Sequence, residues 1–187
     1  MMPIMPDLET PDLTSNSPAI ATRIAELNRL SQAEFVEQLG AIFEHTPAIA
    51  HRAWEKRPFS DAAALQQALI DEVYRMQPDA QMQLIQAHPD LGSKAKMAEA
   101  SVQEQSGAGL DRLSAQEYER FCTLNQAYKV RFGFPFIIAV KHHTKDSILA
   151  AFAQRLENSA SVELETALKE IIQIAILRLT AFLTANA

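Results

Sequence analysis

The 187-residue chain holds a single cysteine, Cys122, which excludes an intrachain disulfide and a zinc site built on several thiolates. It also lacks any dense run of basic residues. Its 17 Lys and Arg stand against 23 Asp and Glu, a formal net charge of -6, so no stretch can track a phosphate backbone and no nucleic-acid partner is expected. No stretch reaches the ~18 uninterrupted apolar residues of a membrane span, so no membrane partner is expected either. Residues 1–18 carry no basic start, apolar core or cleavage pattern, and the C-terminal Asn186-Ala187 is not a peroxisomal address. With the lone thiol, these features point to a cytoplasmic location. Walker loops, dinucleotide fingerprints, Gly-x-Ser-x-Gly elbows and His-Glu-x-x-His helices are missing too, which leaves no recognisable seat for a nucleotide, a flavin or a catalytic metal.

What the chain does contain is apolar side chains in helical rhythm. Hydrophobic residues make up 48% of it, which at this length favours one domain with a sizeable core. Residues 1–18, rich in Pro, Ser, Thr and Asp, are expected to form a loosely ordered arm, and residues 19–187 one helical domain. Ser31-Gln32-Ala33-Glu34 is a capping box opening a segment with Phe35, Leu39 and Phe43 at four-residue spacing. Ser60 is the expected cap of a second helix, with Ala64, Leu65, Leu69, Ile70, Val73 and Met76 on one face until Pro78. Asp79 is the expected cap of a short helix ending near Ala87. Ser114-Ala115-Gln116-Glu117 is another capping box, followed by Tyr118, Phe121, Cys122, Leu124, Asn125 and Tyr128, in a helix that should end near Arg131 to Gly133. Cys122 is expected to be a buried structural thiol on that helix. The run from Phe134 to Val140 is extended around Pro135 and is otherwise undecided between strand and helix. Asp146 is the expected cap of a helix through Leu156. The longest helix is predicted from Val162 to about Leu183, with Leu164, Leu168, Ile171, Ile172, Ala175, Ile176 and Leu179 facing the core. The fold class is therefore all-α, a single-domain helical bundle with an irregular central segment.

Four groups of residues carry chemistry. Ala87-His88-Pro89-Asp90-Leu91-Gly92 sets an imidazole where proline and glycine break a helix, and Pro89 disfavours helical backbone at His88 itself. Such a residue can face a cavity, and an imidazole can give or take a proton near neutral pH without a cofactor. Capping or packing is the alternative. In Ser101-Val102-Gln103-Glu104-Gln105, helical geometry would put Ser101, Glu104 and Gln105 on one face, offering a hydroxyl, a carboxylate and an amide to a polar ring. The competing reading is a solvated helix end terminated at Gly109. In Phe132-Gly133-Phe134-Pro135-Phe136-Ile137-Ile138-Ala139-Val140, the break from helix would leave backbone N–H groups around Ile138 to Val140 free to bind a carboxylate or carbonyl oxygen. The aromatic residues alone favour core. Arg155 and Arg178 complete the set. Arg178 lies in the apolar run Ile176-Leu177-Arg178-Leu179 and needs an anionic or carbonyl partner, either a ligand or an internal group such as Glu170 or a helix C-terminus. His142-His143 does not qualify as a metal pair, because adjacent helical residues point apart and no third ligand is suitably spaced; both are expected at the surface.

Taken together and in this order, Ala87-His88-Pro89-Asp90-Leu91-Gly92, Glu104-Gln105-Ser106-Gly107-Ala108-Gly109-Leu110, Leu124-Asn125, Tyr128 and Phe132 to Val140 resemble the OHCU decarboxylase family, whose reaction belongs to urate breakdown. The resemblance runs from about Leu30 to the C-terminus and includes the Arg155-Leu156 and Arg178-Leu179 pairs. It implies an all-α, cofactor-free homodimer that takes an anionic small molecule, 2-oxo-4-hydroxy-4-carboxy-5-ureidoimidazoline, removes CO2 and protonates one face of the ring to give (S)-allantoin. It further implies that His88 is the general acid/base, with Glu104 as the second catalytic residue. Pro89, Ser101, Gln105 and Arg178 match substrate contacts, and the segment Phe136, Ile137, Ile138, Ala139 and Val140 matches the one whose backbone touches the ligand. Two departures, Glu157 where a smaller residue is common and His142 where a glycine is common, lie in peripheral stretches. A helical scaffold protein would have no reason to combine His88, Glu104 and Arg178 with broken helices. A hydrolase acting on a related ureide would use the same residue types, because His88 and Glu104 could activate water.

Overall fold

The computed structural model describes residues 17–93 and 99–185. Among them are nine α-helices and no strand: α1 (Pro18–Leu27), α2 (Gln32–Leu39), α3 (Ala48–Trp54), α4 (Ala62–Arg75), α5 (Pro78–Gln86), α6 (Glu99–Gly107), α7 (Ala115–Phe132), α8 (Lys145–Arg155) and α9 (Ala160–Thr184), with a 3-10 turn at Val140–His142. The all-α expectation holds. The arm expected over residues 1–18 lies outside the described residues except for Ser17, which caps α1, and Pro18, which opens it. Helical structure therefore starts at Pro18, one residue before the expected boundary.

The helix α9 is the centre of the architecture. Ala167, Leu168, Ile171, Ile172, Ala175, Ile176 and Leu179 are buried along it, and α1, α4 and α5 pack against its length. Three- and four-residue spacing puts these side chains on one wide face, so a single helix can serve several neighbours. Leu164, placed on that face by its spacing, is only partly buried. The helices α2, α3 and α4 form a successive layer, and α7 packs on α8. One continuous apolar core results.

The capping boxes at Ser31 and Ser114 form as the sequence indicates, each Ser side chain accepting from the backbone N–H of its Glu while that Glu accepts from the cap's own N–H. Three other expected caps shift by one or two positions. Asp61, not Ser60, caps α4, and the Ser60 hydroxyl donates to the Asp61 carboxylate. Thr144, not Asp146, caps α8 through a reciprocal bond with Ser147. Asp79 sits inside the first turn of α5, because Pro78 occupies the first helical position and Gln77 precedes it. The seven-residue α3 has no counterpart in the sequence reading. Phe43 is buried but lies beyond the end of α2. Cys122 is exposed rather than buried, because the inward face of α7 is Phe121, Asn125 and Tyr128. The segment from Phe134 to Ala139 is neither strand nor helix; Gly133, in left-handed backbone (φ 80°), ends α7 and turns the chain into it.

Candidate active site

His88 follows directly on the end of α5 and is only 8% exposed. Its ring Nδ1 lies 2.9 Å from the Leu84 carbonyl oxygen. A carbonyl can only accept, so Nδ1 carries the proton and Nε2 is left as an acceptor. Burial pushes the imidazole pKa down to about 4, against the opposing effects of the Leu84 bond and the Glu44 charge. His88 is therefore neutral at neutral pH.

The loop behind His88 is tied at several points. The Gly92 N–H donates to Gln105 Oε1 (2.9 Å), Asn125 Nδ2 donates to the Leu91 carbonyl (2.9 Å), and Lys129 Nζ pairs with Asp90 (2.7 Å). Gly92 has φ 68°, and a Cβ there would meet Leu113 Cδ1 at 2.9 Å, so glycine is required at this bend.

Across the cavity Arg178, buried in the body of α9, uses its whole guanidinium. Nε and Nη2 donate to the two Glu104 oxygens at 2.7 and 2.9 Å, Nη2 donates to Ser101 Oγ at 3.0 Å, and Nη1 reaches the Ile42 carbonyl and Glu44 Oε2, each at 3.3 Å. Burial alone would lower the Arg178 pKa, but the paired Glu104 and Glu44 carboxylates outweigh it and hold the pKa above its ordinary value. Ser101, Glu104 and Gln105 do share one face of α6, with Ser101 and Gln105 buried. Glu170, offered by the sequence as an internal partner for Arg178, instead accepts from the Ala139 N–H at 2.8 Å.

That bond amends the expectation of free amides around Ile138 to Val140. Ala139 is engaged, whereas the N–H groups of Ile138 and Val140 have no acceptor among the described residues. The segment itself is clamped from behind by Arg155, which donates to the Ile137 carbonyl at 2.6 Å and to Glu163 at 3.0 to 3.3 Å while covering the Phe136 ring. The Tyr128 hydroxyl also donates to Glu163, and Asn158 donates to it at 2.8 Å. This fully buried charge has its oxygens well supplied with donors, as a buried ion pair requires.

His88, Pro89, Leu91, Ser101, Glu104, Gln105, Phe136, Ile137, Ile138, Val140, Ile174 and Arg178 line one cavity. Of the residues singled out from sequence as chemistry-bearing, Ala139 and Arg155 are outside its lining. The free space is about 30 Å³, room for little more than one water. Glu104 forms a partly exposed part of the wall, its side chain 27% exposed. A larger groove of about 490 Å³ adjoins it and shares Glu104 and Arg178, while a cleft of about 380 Å³ between α1 and the end of α9 has no histidine. Among the described residues no group of three or more His, Cys, Asp or Glu could hold a metal; His142 is exposed and His143 rests against Ser147.

Sequence reasoning missed Glu44. It lies in the loop between α2 and α3, is 1% exposed, and accepts from Ser101 Oγ at 2.6 Å as well as from Arg178. Its only signal was an acid set beside buried Ile42 and Phe43, and solvated loop acids share that signature.

Comparison with known proteins identifies the family. The family model described as OHCU decarboxylase matches residues 28–180. A 2-oxo-4-hydroxy-4-carboxy-5-ureidoimidazoline decarboxylase of Haloferax volcanii is 46% identical over 83% of this chain and 93% of its own. A crystal structure of OHCU decarboxylase in the presence of (S)-allantoin superposes with a TM-score of 0.65 at 25% identity, covering 83% of this chain and 99% of that one. A crystal structure of (S)-allantoin synthase gives a TM-score of 0.69 at 29% identity, covering 85% of this chain and 53% of that one. A family-model match over residues 28–180, together with a relative 46% identical of which the chain covers 93%, means that the chain belongs to the OHCU decarboxylase family.

Proposed function

We propose that the chain decarboxylates 2-oxo-4-hydroxy-4-carboxy-5-ureidoimidazoline to (S)-allantoin and CO2 in the cavity between α5, α6 and α9. The observation that carries this reading is the convergence of a neutral buried histidine, an arginine and a partly exposed carboxylate on one cavity in a chain of this family. The substrate bears a hydroxyl and a carboxylate on carbon 4, next to an imine carbon 5 that carries the ureido group. When the bond to the carboxylate breaks, its electron pair forms a double bond between carbons 4 and 5, and the ring nitrogen takes up a proton. The imine is thus the electron sink, and no cofactor is invoked. His88 Nε2 then takes the proton of the 4-hydroxyl and returns it to carbon 5 on one face, leaving a carbonyl at carbon 4. The balance is one CO2 lost and one proton gained.

Arg178 is assigned to the substrate carboxylate, which takes the place of the Glu104 carboxylate on the guanidinium. Glu104, once displaced, accepts from the ureido or hydroxyl hydrogens. Pro89, Ser101, Gln105 and the backbone from Phe136 to Val140 are assigned to the ring and its carbonyl oxygens. An imidazolium with a pKa of about 4 is a strong acid toward carbon, which suits the second proton transfer. A cytoplasmic homodimer belongs to the same proposal; among the described residues no helix is long and apolar enough to cross a membrane.

The test is to generate the substrate in situ from urate with urate oxidase and hydroxyisourate hydrolase and follow its absorbance. Decay accelerated in proportion to added protein is the expected result. Folded protein that leaves the uncatalysed rate unchanged would overturn the reading and favour action on another ureide.

A further inference from the structure

Two carboxylates flank Arg178, and they differ in kind. Glu104 comes from α6, and its side chain is 27% exposed on the cavity side. Glu44 comes from the other side, from the loop joining α2 to α3, and its side chain is wholly buried. The backbone around Glu44 is pinned: Thr46 Oγ1 donates to the Glu44 carbonyl at 2.9 Å, and His45 adopts left-handed backbone at φ 46°, a conformation that a non-glycine residue holds only when its surroundings impose it. His45 Nε2 lies 3.6 Å from Glu44 Oε1. The Ile42 carbonyl of the same loop shares Nη1 of Arg178 with Glu44. The loop therefore grips the guanidinium from behind, and Glu104 grips it from the front.

Ser101 carries the second consequence. A hydroxyl has one proton to donate, and Ser101 donates it to Glu44 Oε2 at 2.6 Å while accepting from Arg178 Nη2 at 3.0 Å. Toward the cavity that it lines, Ser101 can then only accept.

We propose that Glu44 is a positioning residue which holds Arg178 and Ser101 in place without touching the substrate, so that Glu104 alone is exchanged when the substrate carboxylate arrives and Ser101 selects for a hydrogen-bond donor, an N–H of the ring or ureido group. The inference rests on the decarboxylase reading above. It concerns ground-state binding more than chemistry: the carboxylate that Arg178 recognises loses its charge as CO2 forms, so a misplaced guanidinium weakens substrate binding more than the bond-breaking step.

The experiment compares wild type with Glu44→Ala, Glu44→Gln, Ser101→Ala and Glu44→Gln/Ser101→Ala in the coupled urate assay, with folding checked by circular dichroism and melting. Glu44→Ala is expected to raise KM about tenfold or more, as loss of hydrogen bonds to a charged group does, with kcat changed less than about threefold. Glu44→Gln keeps an oxygen where Ser101 and Arg178 donate but loses the charge, and should raise KM by about threefold, well short of Glu44→Ala. If Glu44→Ala does not fold, the remaining cycle decides: the KM effects of Glu44→Gln and Ser101→Ala should fall short of multiplicative in the double variant, because both act on one hydrogen-bond chain. A folded Glu44→Ala enzyme with unchanged KM, a loss confined to kcat, or multiplicative effects in the cycle would overturn the role of Glu44. Absence of turnover in the wild type would instead overturn the functional reading itself.

Discussion

At the scale of single residues, His88, proposed above as the general acid/base, also ties stability to pH. Its pKa falls from 6.5 in the unfolded chain to about 4 in the folded one, so between those values the unfolded state binds more protons. Stability is then fully present above pH 6.5 and declines as the pH falls toward 4, by about 3 kcal/mol in total at about 1.4 kcal/mol per pKa unit. Urea unfolding of wild type and His88→Gln from pH 7 to pH 4 should show this extra loss in the wild type alone; parallel curves would mean that His88 is not buried in its neutral form. His88 was legible in the sequence because a proline and a glycine frame it, and Arg178 because a cation in an apolar run has to be accounted for. Which partner Arg178 chooses was not legible. Glu44 precedes it by 134 positions, and no local pattern in an α2–α3 loop reports that contact.

At the scale of elements, the site depends on stretches that are not helices, each held by a few polar bonds. The loop after α5 is stapled to α6 by Gln105 and to α7 by Asn125 and Lys129. The segment after α7 is clamped by Arg155 and Glu163. Gly92→Ala puts a side chain in left-handed backbone against Leu113 and should cost about 1–2 kcal/mol of stability by chemical denaturation, with reduced turnover as the His88 loop shifts. Gly107→Ala, where a Cβ meets open space, is the control and should change stability by less than about 1 kcal/mol. Equal effects of the two substitutions would remove the argument for Gly92. The sequence located these breaks well, because proline, glycine and aromatic runs mark them. It was less exact at helix starts: Ser60 and Asp61, or Thr144 and Asp146, all have side chains able to cap, and the choice between neighbours is made by tertiary packing. Cys122 was misplaced for a related reason, since α7 buries only a narrow stripe and a small residue at its margin fits either side.

At the scale of the whole molecule, one long apolar helix organises the core and also carries Arg178, so the charge proposed to bind the substrate is set among the buried residues of that helix. The all-α class and the run of α9 followed from hydrophobic period alone. The short α3 did not, because seven residues give too few turns for a period to register. Meeting of the three groups in one cavity is a property of the tertiary fold: His88, Glu104 and Arg178 come from three different parts of the chain. That cavity has only about 30 Å³ of free space, with the Glu104–Arg178 pair in its wall, so the account requires the pair to open for the substrate and one face of the ring to be presented to His88. The handedness of the product reports both at once. Allantoin formed from enzymatically generated substrate should be collected quickly, before it racemises, and its circular dichroism compared for wild type and His88→Ala. The account predicts (S)-allantoin in large excess from the wild type and a near-racemic product from the variant; a racemic product from an active wild type, or an unchanged excess without His88, would contradict it.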